Sequence, residues 1–167
     1  MELTSDIILK GNAWNVAIEN LEEIFVTRTN YMIYMISLSI GILYDKRIEK
    51  LDQHGSDEFR YVPRNVIQNN DCGKLDFMFQ TAILSTTTGD FTEEERLELA
   101  FGERTDFKKI EFLTQFANFG VTKLIEQIDK TPIATMEKIK NFLFVSADCT
   151  NPEISFFSDD ILAEDNI

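Results

Sequence analysis

The single histidine of the chain, His54, lies in a polar segment with three carboxylates close to it in sequence. Asp52, Asp57 and Glu58 could supply oxygen ligands to a metal ion beside the imidazole. Transition-metal sites usually use several nitrogen or sulfur ligands at regular spacing, and neither an H-x-x-x-H nor an H-x-x-E pattern occurs. We therefore interpret the segment from Asp52 to Arg60 as a solvated loop, and we predict no metal and no cofactor.

Nucleophilic catalysis would have to pair Cys72 with His54, since no other histidine is available. The negative charge of the neighbouring Asp71 disfavours the thiolate, which is the nucleophilic form of a cysteine. Cys72 and Cys149 are far apart and outside a C-x-x-C spacing, so the sequence predicts neither a disulfide framework nor a zinc knuckle. No G-x-S-x-G elbow and no glycine-rich phosphate loop occurs. The sequence therefore favours a non-catalytic protein.

Carboxylate chemistry is harder to exclude, because the chain has 29 acidic residues. The run Glu93 to Glu95 fits the start of a helix, where carboxylates stabilise the positive end of the dipole. Glu19, Glu22 and Glu23 fit the solvated face of another helix. A metal- or carboxylate-dependent enzyme is kept as the weakest of three functional hypotheses.

The net charge of −13 bounds the kind of partner. Binding to a phosphate backbone depends on lysine and arginine, so direct nucleic-acid binding is not expected. A protein with a basic surface is the natural partner, although an acid excess also simply keeps a protein soluble. The acidic flank near Met1 and the short apolar run after it do not resemble a secretory signal, which predicts a cytoplasmic protein.

The most apolar segment runs from Tyr31 to Tyr44 and has no charged residue. A helix of that length rises only about 21 Å, which is too short for a bilayer core of about 30 Å. A short helix that is apolar all round usually forms the centre of a bundle. We expect this helix to have neighbours on all sides and helical spacing to continue through Ile48 and Leu51.

Shorter patterns predict the helices that would cover it. The predicted helices are Trp14 to Phe25 with Asn12 as N-cap, a short turn after Pro63, Leu75 to Ile83, a helix starting at Thr92 with Glu95 completing a capping box, and a last helix starting at Thr131-Pro132 with a face of Ile133, Met136, Ile139 and Leu143. Together they predict an all-α, single-domain bundle of about five to seven helices.

The longest predicted helix is capped by Thr105 or Asp106 and extends to Ile128. Its main apolar stripe keeps the helical period for about six turns. A second stripe of Phe112, Phe116 and Phe119 lies beside it. These phenylalanines are either core residues or a partner-binding surface, because aromatic residues are enriched in both.

The composition changes after Val145, which divides the chain into a helical bundle at 1–145 and an acidic tail at 146–167. The tail has six acidic residues and no basic ones. Its apolar residues and neighbouring carboxylates are typical of a segment that orders on binding, and the alternative is that it packs back on the bundle. The predicted partner-binding residues of the tail are Phe156, Phe157, Asp159, Asp160, Ile161 and Leu162.

The leading functional hypothesis is a helical adaptor or regulatory subunit that binds another protein, or itself as a homodimer. A second hypothesis is an acidic inhibitor whose carboxylates take the place of nucleic-acid phosphates on a basic protein. The two differ in their response to salt, because the second depends on charge pairs that salt screens.

Overall fold

A computed structural model describes residues 4–52, 59–86, 91–102 and 107–147 of the chain. These residues form seven helices and a two-stranded sheet, which confirms the predicted all-α bundle. The elements are β1 (Ile7–Leu9), α1 (Asn12–Leu21), α2 (Thr29–Leu43), β2 (Arg60–Val62), α3 (Arg64–Asn70), α4 (Lys74–Ser85), α5 (Glu93–Phe101), α6 (Lys109–Ile125) and α7 (Pro132–Ser146).

Two helix starts follow the predicted capping chemistry. The backbone N–H of Thr92 donates to the Glu95 carboxylate at 2.8 Å, and the N–H of Glu95 donates to the Thr92 hydroxyl at 3.3 Å, which completes the capping box. At α7 the N–H of Ala134 donates to the Thr131 hydroxyl at 3.2 Å, with Pro132 in the first turn. The predicted caps Thr105 and Asp106 lie outside the described residues.

The predicted cap Asn12 was wrong by one position. Gly11 is the N-cap of α1, with φ 116°, and no side chain caps this helix. A Cβ at Gly11 would come within 2.6 Å of the Leu51 side chain. A glycine is therefore needed both for the left-handed backbone and for the close approach of the 46–52 segment.

The predicted extension of α2 through Ile48 and Leu51 was also wrong. Asp45 adopts φ 47°, and the N–H groups of Asp45 and Lys46 donate back to Ile42 and Gly41 at 3.0 and 3.1 Å. These two bonds form a Schellman motif, which ends the helix. The 46–52 segment then lies against α6, where the N–H of Ile48 donates to the Gln115 carbonyl at 2.9 Å.

The core forms where α2 crosses α6, the most extensive contact between two elements of the bundle. Tyr34 and Leu38 of α2 and Phe116 of α6 are fully buried there. A Cβ at Gly41 would overlap the Phe116 carbonyl oxygen, and one at Gly120 would overlap that of Ser37. The two backbones are therefore in direct contact, which only small residues allow.

The small sheet was not predicted. β1 and β2 pair antiparallel, with Ile7 opposite Val62 and Leu9 opposite Arg60. Ile7, Leu9 and Val62 point into the core, whereas Ile8 is 46% exposed. Three residues of alternation are too few to reveal a strand in the sequence, and the predicted loop at 52–60 overlaps β2 by its last residue.

Among the described elements, α2 packs mainly against α1, α4, α6 and β2. They do not cover it completely, because Met32 is 38% exposed and Ser39 is exposed. Among the described helices, none combines the length and the apolar character needed to cross a membrane. α2 itself has 15 residues.

Two tyrosines of α2 resist ionisation. Burial, together with the charge and hydrogen bond of Asp71, raises the pKa of Tyr31 to about 12. The Tyr31 hydroxyl donates to that carboxylate at 3.1 Å. Burial also raises the pKa of Tyr34, whose hydroxyl lies 3.3 Å from that of Thr114. Both groups therefore keep their protons more tightly in the folded chain than in the unfolded one.

This difference predicts a loss of stability at alkaline pH. The contribution that a raised tyrosine pKa makes to the free energy of unfolding is fully present below the unfolded pKa of about 10. It is lost as the pH rises towards 12. Urea unfolding at several pH values should therefore show a steeper decline for the native chain than for Tyr31→Phe. Tyr61→Phe, at a residue that is 45% exposed, serves as the control. Equal slopes for Tyr31→Phe and the native chain would contradict the assignment.

Candidate protein-binding groove

The last helix, α7, is rotated about its axis, so that it turns a different face to the bundle than the sequence predicted. Of the predicted face, Ile139 is buried and Leu143 is half-buried, but Ile133 is 71% exposed and Met136 is 54% exposed. The face that contacts the bundle contains Thr135, Ile139, Phe142 and Ser146. The predicted face was therefore wrong in half of its residues, and apolar side chains remain at the surface.

Two polar contacts fix this rotation. At the start of α7, the Thr135 hydroxyl accepts from the N–H of Asp129 at 2.8 Å and lies 3.3 Å from its carbonyl. At the end, the hydroxyls of Tyr44 and Ser146 form a buried hydrogen bond of 3.1 Å. A buried hydroxyl needs a partner, so these bonds oblige Thr135 and Ser146 to face inward.

Further contacts support the same orientation. The ammonium group of Lys138 lies 2.8 Å from the Asp129 carboxylate, and this hydrogen bond is the main reason why the pKa of Asp129 is lowered. The rings of Tyr44 and Phe142 stack with centroids 6.3 Å apart. α7 is thus attached through side chains, without the close backbone approach that joins α2 to α6.

The rotation of α7 leaves an apolar groove between this helix, α2 and the turn after α1. The groove has a volume of about 620 Å³, and among the described residues that line it Lys140 is the one that carries a charge. Phe144 is 78% exposed at its edge. We call this feature the α7 groove; it is lined by Ile24, Phe25, Ile36, Met136, Ile139, Lys140, Leu143 and Phe144.

Sequence reasoning missed this groove because it misplaced the end of α1. Ile24 and Phe25 continued the apolar period of α1, but α1 ends at Leu21 and leaves them in the following turn. The useful signal was the uninterrupted apolar run from Phe142 to Val145, which no single helix face can bury. A contiguous apolar surface of this kind marks an interaction site more often than isolated exposed side chains do.

The second predicted stripe lies mainly in the core. Phe112 is 7% exposed and Phe116 is fully buried, with their rings 5.2 Å apart and edge-to-face. The guanidinium group of Arg47 covers both rings at 5.2 and 5.7 Å. Phe119 is half-buried against Tyr44 at 5.9 Å. Phe112 and Phe116 therefore offer no surface to a partner in this fold.

Several other predicted residues lie outside the described part of the chain. These are His54, Asp57 and Glu58 of the candidate metal loop, Cys149, and the tail residues Phe156, Phe157, Asp159, Asp160, Ile161 and Leu162. Cys72 is an exposed free thiol. Over the described ranges, no three side chains of His, Cys, Asp or Glu come together in a way that could hold a metal ion.

A second concave feature, the polar cleft, lies between β1, the 46–52 segment and α6. Its volume is about 640 Å³, and its lining mixes Asp6, Glu49 and Glu111 with Lys10 and Lys50. Two polar side chains of its lining, the buried Asn118 and the half-buried Thr114, already have partners. The Asn118 amide bonds to Trp14 and Ile48, and the Thr114 hydroxyl donates to the Ile110 carbonyl. These charges and bonds do not select a ligand, so the α7 groove is the better candidate.

Comparisons with protein-family models, with curated proteins and with solved structures found no match, so the α7 groove is interpreted from its own geometry.

Proposed function

We propose that this chain is a non-catalytic helical adaptor or regulatory subunit that binds another protein through the α7 groove. The observation that carries the proposal is the exposure of Met136 and Phe144 beside the buried Ile139, in a groove whose described lining has one charged residue. Proteins commonly accept an apolar helix or extended segment in a groove of this type. Phe144 would be the main anchor, since aromatic side chains dominate binding energy at interfaces.

The charge of the chain supports a partner with a basic surface. Glu22 and Glu23 are exposed directly before the groove residues Ile24 and Phe25, and the chain as a whole has a net charge of −13. An apolar segment set in a basic surface would complement both features. A second copy of this chain would bring two acidic surfaces together, so a different protein is the favoured partner. The proposed setting is the cytoplasm.

Substitution of the anchor should reduce binding without unfolding the chain. We expect Phe144→Asp to weaken the complex by about 2 kcal/mol or more, roughly thirty-fold in the dissociation constant, because a hot-spot contact is lost and a charge enters an apolar groove. Phe101→Asp is the matched control, since Phe101 is 66% exposed on α5 and lies outside the groove.

The partner can be identified by placing a photo-crosslinking phenylalanine analogue at position 144 and, separately, at position 101. The protein captured at 144 but not at 101 is then purified and titrated with the native chain and both variants. Equal affinities for Phe144→Asp and Phe101→Asp would contradict the proposal. Affinity that is lost in high salt but unaffected by Phe144→Asp would instead support binding through carboxylates alone, as an acidic nucleic-acid mimic would bind.

A further inference from the structure

We propose that the C-terminal segment of this same chain, residues 148–167, occupies the α7 groove when no partner is bound. This inference rests on the proposed function, because it assigns a regulation to the same groove. The described part of the chain ends at Ala147, one residue after α7, and Leu143 and Phe144 in the last turns of α7 line the groove. The segment therefore starts at one end of the surface that it would cover.

The segment is long enough to return along α7. Twenty residues can extend to about 60 Å, whereas the 15 residues of α7 rise about 22 Å. The starting point is fixed, because Ser146 is held by the buried hydroxyl of Tyr44. Asn151-Pro152 follows soon after, and this dipeptide favours a change of chain direction.

The composition of the segment matches the chemistry of the groove. It offers the apolar side chains of Ile154, Phe156, Phe157, Ile161 and Leu162 to an apolar lining. Its carboxylates can pair with Lys140, which is the one charged residue among the described residues of that lining. Because the segment is tethered, its effective concentration at the groove is in the millimolar range, so even a weak contact can be populated.

The negative net charges of the segment and of the rest of the chain oppose this intramolecular contact. The contact is therefore weak enough for a partner to displace it. Six of the excess negative charges lie in 148–167, which leaves −7 on residues 1–147. The two parts have net charges of the same sign and repel each other, although Lys140 attracts the carboxylates locally. Salt should therefore strengthen the contact by screening the net repulsion. A basic partner is attracted by the same charges, and salt should weaken its binding. The two occupants of the groove therefore respond to ionic strength in opposite directions.

Methyl NMR of the full-length chain can test the inference. A spin label is attached at the chain end in the variant Cys72→Ser, Cys149→Ser, Asn166→Cys, and the methionine methyl groups are observed. We expect loss of the Met136 signal in the groove and retention of the Met78 signal on α4. The loss should deepen when the Debye length is shortened from about 30 Å to about 3 Å by added salt. It should disappear in Phe156→Ser/Phe157→Ser and in Phe144→Asp.

A sample that mixes spin-labelled chains with separate isotope-labelled chains identifies the alternative occupant. Signal loss in that mixture as strong as in the single chain would assign the groove to a second copy and overturn the inference, as would retention of the Met136 signal at every ionic strength. Crosslinking at position 144 reports on the partner independently. Partner binding that depends on Phe144, without a spin-label effect, would overturn this inference and leave the proposed function in place. A spin-label effect without any partner would overturn only the proposed function.

Discussion

Replacement of Gly120 with alanine should destabilise the chain by about 3 kcal/mol or more, at the upper end of what overpacking usually costs. The new methyl group would overlap the carbonyl oxygen of Ser37, and a backbone atom cannot move aside as a flexible side chain can. Helix propensity alone would give the opposite sign, since alanine in a helix is favoured over glycine by about 1 kcal/mol. The midpoint of urea unfolding, followed by circular dichroism, measures the change.

Gly41→Ala should behave in the same way, because its Cβ would overlap the Phe116 carbonyl oxygen at the same crossing. Ser39→Ala is the control, since Ser39 is exposed on α2 and should change the free energy of unfolding by less than about 0.5 kcal/mol. An unchanged or raised midpoint for Gly120→Ala would mean that α2 and α6 do not approach as closely as described.

Asn118→Ala should lower the free energy of unfolding by about 3 kcal/mol. The buried Asn118 side chain links α6 to α1 and to the 46–52 segment. Its carbonyl oxygen accepts from the indole of Trp14 at 2.9 Å, and its amide donates to the Ile48 carbonyl at 3.0 Å. Alanine would leave both groups without these bonds, and each unsatisfied buried group costs about 1–3 kcal/mol. Trp14 is the single tryptophan of the chain, so its fluorescence reports directly on this site.

A double-mutant cycle with Trp14→Phe separates the shared bond from the rest of the effect. Asn118→Ala and Trp14→Phe should be less than additive by about 1 kcal/mol, because they remove the same hydrogen bond. Asn20→Ala, at an exposed amide on α1, provides the control for a general effect of losing an asparagine side chain. Strict additivity would exclude the bond between Trp14 and Asn118 as a source of stability.

The sequence predicted the helices well where local chemistry specifies them. The capping box at Thr92 and the Thr131-Pro132 start depend on bonds within four residues, and both were confirmed. The apolar run from Tyr31 to Tyr44 correctly indicated the helix that makes the largest contact in the bundle. Each of these signals lies within one element and needs no knowledge of its neighbours.

The errors occurred where tertiary contacts override a local pattern. Apolar spacing continued through Ile48, but the left-handed backbone of Asp45 ends α2 before that residue. The hydrogen bond from the N–H of Ile48 to the Gln115 carbonyl then holds Ile48 against α6. The orientation of α7 depends on Tyr44, which is about a hundred residues away from Ser146. The candidate site follows from that orientation. Its apolar residues were visible in the sequence, but the side of α7 that would remain exposed was not.

The contact between α2 and α6 also determines how the chain must fold. These two helices are separated by 65 residues, from Tyr44 to Lys108. Closing a loop of that length costs about 2 kcal/mol more conformational entropy than closing a turn of five residues. The rate-limiting step should therefore be the meeting of α2 and α6, and the chain should fold more slowly than a bundle of the same size whose helices pack in sequence order.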